Sequence, residues 1–139
     1  MKSLRNLGLV VMLGFVLAGC GTMPTTSRDE TPAGEAIGPT EETFVTLNPA
    51  ARAAVEAAAF FTRTLPDGRL EVAVNLRNRG EQPLRLKTNC VFKDEQGFSI
   101  KDETPFRTIE VAAGAIETVR FTATNPAAKR YTVRVGTAR

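Results

Sequence analysis

The run GRLEVAVNLRN, Gly68 to Asn78, sets Leu70, Val72, Val74 and Leu76 at alternate positions, with Glu71, Ala73, Asn75 and Arg77 between them. A period of two puts the first four on one face of an extended strand and the others on the opposite face. Three later stretches carry the same pattern. PLRLKTNCVF turns Leu84, Leu86, Thr88, Cys90 and Phe92 inward, ETVRFTAT offers Val119, Phe121 and Ala123, and RYTVRVG offers Tyr131, Val133 and Val135. Turn signals stand between them: Pro66-Asp67-Gly68, Asn78-Arg79-Gly80, Glu95-Gln96-Gly97, Ala113-Gly114 and Asn125-Pro126. Half-buried strands at this spacing, joined by tight turns, predict an all-β antiparallel sandwich or barrel spanning residues 44–139.

One stretch of this domain is ambiguous. NPAARAAVEAAAFFTR, Asn48 to Arg63, has the composition of a helix, with Asn48 as cap and Pro49 at the first position. Its second half also runs as a strand into the Leu65-Pro66-Asp67-Gly68 turn. The expectation is a short helical turn near Pro49–Arg52, then a strand from about Val55 to Thr64.

Ahead of the domain the composition changes twice. Residues 1–19 begin with Lys2 and Arg5 and continue as an apolar run from Leu7 to Ala18. A run of this length suits the h-region of a signal peptide, whereas spanning a bilayer takes about twenty residues. Its ending, Leu17-Ala18-Gly19-Cys20, resembles the lipobox of bacterial lipoproteins. That resemblance implies diacylglycerol on the Cys20 sulfur, cleavage after Gly19 and acylation of the new amine. Each buried methylene contributes about 0.8 kcal/mol, and two acyl chains already hold a protein on a membrane. Gly21 follows the cysteine in place of the aspartate that retains enteric lipoproteins in the inner membrane, which favours the outer membrane.

Residues 20–43, rich in Pro, Thr, Gly and Glu, hold Arg28 against Asp29, Glu30, Glu35, Glu41 and Glu42. So few large apolar residues build no core, and the stretch is expected to be a disordered tether. As a coil of some twenty residues it would span about 25 Å on average. The domain beyond it is basic, with 15 Lys and Arg against 10 Asp and Glu.

The chain contains no His, which removes imidazole general bases, Ser–His and Cys–His nucleophiles and imidazole metal ligands. With Cys20 lipidated, Cys90 has no disulfide partner and reads as a buried free thiol. Asp94, Glu95, Asp102 and Glu103 are expected to meet across a hairpin as a solvated tip, calcium binding being the rival reading. Arg77, Arg85, Lys87 and Lys93 lie on outward positions of the two middle strands and form the candidate interaction face. If the turn centres near Gly80, Arg85 and Lys87 fall beside Asn75 and Ala73, making a basic stripe for lipid A, peptidoglycan carboxylates or an acidic partner. No aromatic residues interleave with these charges, which disfavours nucleic acid.

The order of these motifs resembles the YcfL-like family of envelope lipoproteins from Leu47 to Val135. The resemblance is carried by Asn75 and Asn78 before a turn, by Phe92, Asp94 and Gly97, and by the Asn125-Pro126-Ala127 bend. The family usually has Trp where this chain has Phe92 and Phe106. What the resemblance implies is an immunoglobulin-like β-sandwich in the periplasm. The expectation is therefore a non-catalytic accessory module without cofactor or metal, tied to the outer membrane through Cys20 and meeting a periplasmic protein partner. The alternative is a binding module for a small ligand or anionic envelope polymer, using the basic face.

Overall fold

Residues 43–139 are described in full by the computed structural model, together with the backbone of Ala36–Ile37. The expected signal peptide, Cys20 and most of the expected tether lie outside the described residues. In chain order the elements are β1 (Ala36–Ile37), β2 (Phe44–Thr46), α1 (Pro49–Ala54), β3 (Val55–Thr64), β4 (Leu70–Asn78) and β5 (Leu84–Lys93). They continue with β6 (Ser99–Glu103), β7 (Arg107–Val111), β8 (Ile116–Thr122) and β9 (Arg130–Thr137). Two sheets face each other. One has the order β1-β3-β4-β8; the other runs β2-β9-β5, with β6 and β7 both paired to the far side of β5. Every pairing is antiparallel except β2 with β9. The chain is an all-β two-sheet sandwich.

The alternating residues do what their spacing predicts. Leu70, Val72, Val74 and Leu76 from β4 meet Leu86, Cys90 and Phe92 from β5, with Val119 and Phe121 from β8 and Tyr131, Val133 and Val135 from β9. Phe60 and Phe92 are the largest fully buried side chains, and truncating a core Phe to Ala costs about 3–5 kcal/mol.

The ambiguous stretch contains both elements. The Asn48 carboxamide oxygen accepts the Ala51 amide at 2.8 Å, and Pro49 starts the helix where its missing N–H costs nothing. At Val55 the backbone becomes extended and β3 begins without a loop. A register shift between Ala57 and Ala59 then changes the parity of β3, so that Phe60 follows Val55 and Ala57 into the core.

Three turn signals turn out to be sheet crossings. Asn78-Arg79-Gly80 does not close a hairpin: β4 pairs with β3 and β8, while β5 pairs with β9, β6 and β7. The Asn78 side chain is buried and spans the crossing, donating to Gln82 O at 2.7 Å and Val111 O at 3.1 Å and accepting Gly80 N at 2.8 Å. Ala113-Gly114 and Asn125-Pro126 likewise carry the chain from one sheet to the other. Hydrogen bonding to a side chain serves a crossing as readily as a two-residue turn.

The last crossing is held by Asp102. In β6, Asp102 pairs with Phe92 and Ser99 with Lys93, so Ile100 and Lys101 bulge out, Lys101 taking a left-handed φ of 59°. The bulge aims the Asp102 carboxylate at the β8–β9 connection, where it accepts Thr124 N at 2.7 Å, Asn125 N at 2.8 Å and the Thr124 hydroxyl at 2.9 Å. Hydrogen bonds to a charged acceptor contribute about 1.5–3 kcal/mol each. Asp102→Ala is expected to lower unfolding free energy by about 3 kcal/mol in urea titration. Thr88 gives the opposite expectation. Its hydroxyl is buried in the core and has no protein hydrogen-bond partner. Thr88→Val exchanges that hydroxyl for a methyl and should stabilise the domain by about 1 kcal/mol in the same titration.

Candidate functional site

The four basic residues singled out in the sequence do not form one face. Arg77 lies on β4, cross-strand from Glu56 of β3, and its guanidinium approaches that carboxylate at 3.7 Å; Arg79 shares the same glutamate at 3.8 Å. Arg85, Lys87 and Lys93 belong to β5, in the other sheet. The expected neighbours Asn75 and Ala73 stay with β4, whose partner on that side is β8. Arg85 stands opposite Glu110, Lys87 opposite Thr108, and Lys93 opposite Arg130. The basic stripe is thus broken into an ion pair on β4 and three positions on β5, a central strand of the other sheet.

Phe106 forms a part of this surface that alternation alone did not reveal. It precedes β7, is 49% exposed, and has the Arg134 guanidinium 5.3 Å and the Lys87 ammonium 5.9 Å from its ring centre. Cation–π contacts of this kind contribute about 0.5–1 kcal/mol at exposed sites. Arg134 also donates to Asn89 Oδ1 at 2.9 Å and bridges to Glu103, while Asn89 Nδ2 donates to Glu103 Oε1 at 2.6 Å. This network buries Asn89 on what alternation marks as an outward face. Phe92, the other position where the resembled family carries Trp, is fully buried.

The acidic residues expected to meet are also dispersed. Asp102 is spent on the β8–β9 crossing and Glu103 on Arg134 and Asn89. Asp94 organises its own turn: Oδ1 accepts Phe98 N at 2.8 Å, its amide donates to Phe98 O at 2.9 Å, and its carbonyl accepts Gly97 N at 3.1 Å. Among the described residues no group of three Asp, Glu or Cys side chains is placed to hold a metal ion.

A second surface lies along β2. Val133 N donates to Thr43 O and Leu47 N to Val135 O, both at 2.8 Å. In a parallel ladder only alternate residues of one strand bond the neighbour, so the amides and carbonyls of Phe44 and Thr46 point to the open side. There a cleft of about 760 Å³ is bounded by Phe44, Val45, Thr46 and Arg52 on one side and by Val55, Glu56 and Ala57 on the other. Val45 on this strand and Leu47 just beyond it are 37% and 41% exposed. Phe44 turns inward, its ring edge-on to Phe60 at 6.2 Å.

Cys90 and Tyr131 sit between these surfaces, inside the core. Burial pushes the Cys90 thiol far above its usual range, with the nearby Asp102 charge adding to the effect. Burial also pushes the Tyr131 phenol up to about 12, and ionised Cys90 adds to it. Its ring rests on Phe60 at 5.9 Å, and its hydroxyl is buried without a protein partner.

The two packed sheets, with the short parallel strand β2 at one flank, define a class of small all-β sandwich domains. The family described as "Protein of unknown function (DUF1425)" matches residues 42–137, and the chain belongs to it. Two solved structures share the fold. Campylobacter jejuni cj0090 aligns with a TM-score of 0.58 at 19% identity, covering 70% of this chain and 99% of its own. A DUF1425 family member from Shewanella sp. pv-4 aligns with a TM-score of 0.55 at 20% identity, covering 61% of this chain and 79% of its own. No curated protein matches the sequence.

Tyr131 is the single tyrosine of the chain, so its titration can be followed alone. Its folded pKa is raised, so the protonated phenol belongs to the native state and the unfolded chain loses its proton first. The stability it supports is complete below pH 10.0 and is lost as pH rises toward about 12. Phenolate absorbance should therefore appear only with unfolding. Midpoint ionisation near pH 10 in a still-folded protein would contradict the burial.

Proposed function

We propose that this chain is an outer-membrane-anchored periplasmic lipoprotein, a YcfL-like member of its family, whose immunoglobulin-like sandwich serves as a non-catalytic interaction module. The lipobox-like Leu17-Ala18-Gly19-Cys20 supports the anchor at Cys20. The observation that carries the interaction role is the open edge of β2. Phe44 and Thr46 direct unused backbone groups into a cleft flanked by exposed Val45 and by Arg52 and Glu56. An extended segment of a periplasmic protein added there makes main-chain hydrogen bonds to β2 and places alternate side chains against Val45 and the cleft.

The alternative reading, a ligand or anionic-polymer surface on β5, draws on a different observation, the exposed Phe106 ring with Lys87 and Arg134 against it. Site-specific photocrosslinking in intact envelopes separates the two. A crosslinker at Val45 should give a discrete protein adduct that Thr46→Pro abolishes and that survives Arg85→Glu with Lys87→Glu. Adducts lost on that charge reversal, with Thr46→Pro harmless, would favour the β5 surface. No adduct at Val45 would reject the edge-strand role.

A further inference from the structure

The end of the sandwich that receives the chain from its N-terminal side is built differently from the rest of the surface. β2 runs parallel to β9, so Thr43 lies beside the start of β9, and β1 runs antiparallel to β3, so that Ala36 is its residue nearer the same end. The β5–β6 hairpin closes at this end. Its turn is held by the three hydrogen bonds of Asp94, and Gly97 takes a φ of +91° that a side chain would strain. A Cβ there would also come within 3.2 Å of the Arg130 guanidinium. This rigid turn presents Phe98 with 72% of its surface exposed, the most exposed large apolar residue of the described chain. Beside it opens a cavity of about 380 Å³ lined by Thr43, Lys93, Gln96, Gly97, Lys129 and Arg130 along with Tyr131.

We infer that this end, Phe98 with the Lys93–Lys129–Arg130 cluster, is a docking surface for an anionic phospholipid bilayer. Three observations converge. An exposed aromatic ring on a rigid turn is an apolar wedge, and cations around it complement phosphate headgroups; interfacial binding scales with these two quantities together. The acidic residues of the turn do not reverse the cluster: Lys93, Lys129 and Arg130 outnumber Asp94 and Glu95, and the Asp94 carboxylate also accepts the Phe98 amide. The third is covalent reach. From Cys20 to Ala36 the fully extended chain spans no more than about 55 Å. That length joins the domain at the Phe98 end. The inference rests on the reading of Cys20 as the lipid-bearing residue, because a weak contact suffices only at the high local concentration an anchor supplies.

The chain has no Trp, so Phe98→Trp creates a single fluorescent reporter at the tip. The full lipidated protein carrying it is reconstituted into vesicles of phosphatidylcholine alone or with phosphatidylglycerol. With phosphatidylglycerol the emission is expected to shift to the blue and to be quenched by brominated acyl chains. In phosphatidylcholine alone, or in high salt, it should stay at its water-exposed position. Lys93→Gln with Lys129→Gln should weaken the contact about 25-fold, since each basic charge near an anionic surface contributes roughly fivefold. A cooperative melt confirms that each variant is folded. Water-exposed emission of lipidated, folded protein in both vesicles overturns the inference while leaving the anchor intact. Unlipidated Cys20→Ser protein titrated with phosphatidylglycerol vesicles is expected to show the same blue shift at higher lipid concentration. Absence of lipid on wild-type Cys20, read by mass, would instead defeat the anchor, and the shift in the Cys20→Ser titration would still uphold the tip.

Discussion

One buried carboxamide holds together the two sheet crossings at one end of this sandwich. Asn78 ends β4, and its Nδ2 reaches Gln82 O, Val111 O and Ala112 O, while its Oδ1 accepts Gly80 N. Those partners belong to the β4–β5 crossing and to the end of β7, where the chain turns back toward β8. A four-atom side-chain group thus ties the departure from one sheet to the return from the other. At the opposite end Asp102 does the equivalent for the β8–β9 crossing. A sandwich has no backbone ladder between its sheets, so apolar packing sets their spacing and polar side chains at the crossings fix their alignment.

How much of this was legible in the residues differs between faces and neighbours. Alternation tells which way a side chain points, and for Val72, Leu86, Phe121 and Val133 it pointed correctly to the core. It carries no information on which strand lies alongside. Asn-Arg-Gly looks like a hairpin turn, yet the Asn78 side chain is occupied by Val111 O, a residue 33 positions away, and no local pattern announces such a bond. From that one misplacement followed the misplaced basic face: putting β5 beside β4 would have set Arg85 and Lys87 next to Asn75. Asn89 was hidden for a related reason. Its burial depends on Arg134 and Glu103, which reach it from β9 and β6. By contrast, the helix–strand junction at Val55 was readable, because capping by Asn48 and Pro49 is local chemistry.

The sandwich also closes its two flanks unequally. On the β7–β8 flank Arg107 lays its guanidinium over the Phe121 ring at 4.7 Å and donates to the Arg120 carbonyl, bridging the sheets with one side chain. On the β2–β3 flank β1 covers only the Phe60–Phe61 level of β3, and β2 contributes three residues. Backbone groups remain available there over a length that suits a short added strand.

An open edge invites self-association, and the features that limit it here also shape what the edge can bind. β2 is only three residues long, Pro49 stands just beyond it, and the shift at Ala57/Ala59 distorts the facing stretch of β3. Such an edge offers few hydrogen bonds, so any strand added to it is held weakly unless its side chains fill the cleft. Weak, side-chain-dependent pairing is tolerable for a domain confined to a surface. Under the proposed anchoring, confinement raises the local concentration of a partner on the same membrane and removes the need for a long, aggregation-prone edge. With the Phe98 end toward the lipid, the strands stand along the membrane normal and the β2 cleft opens sideways, toward neighbours in the membrane plane. The short edge and the basic, aromatic tip are then two parts of one arrangement, in which orientation at the membrane compensates for the small contact the edge can make.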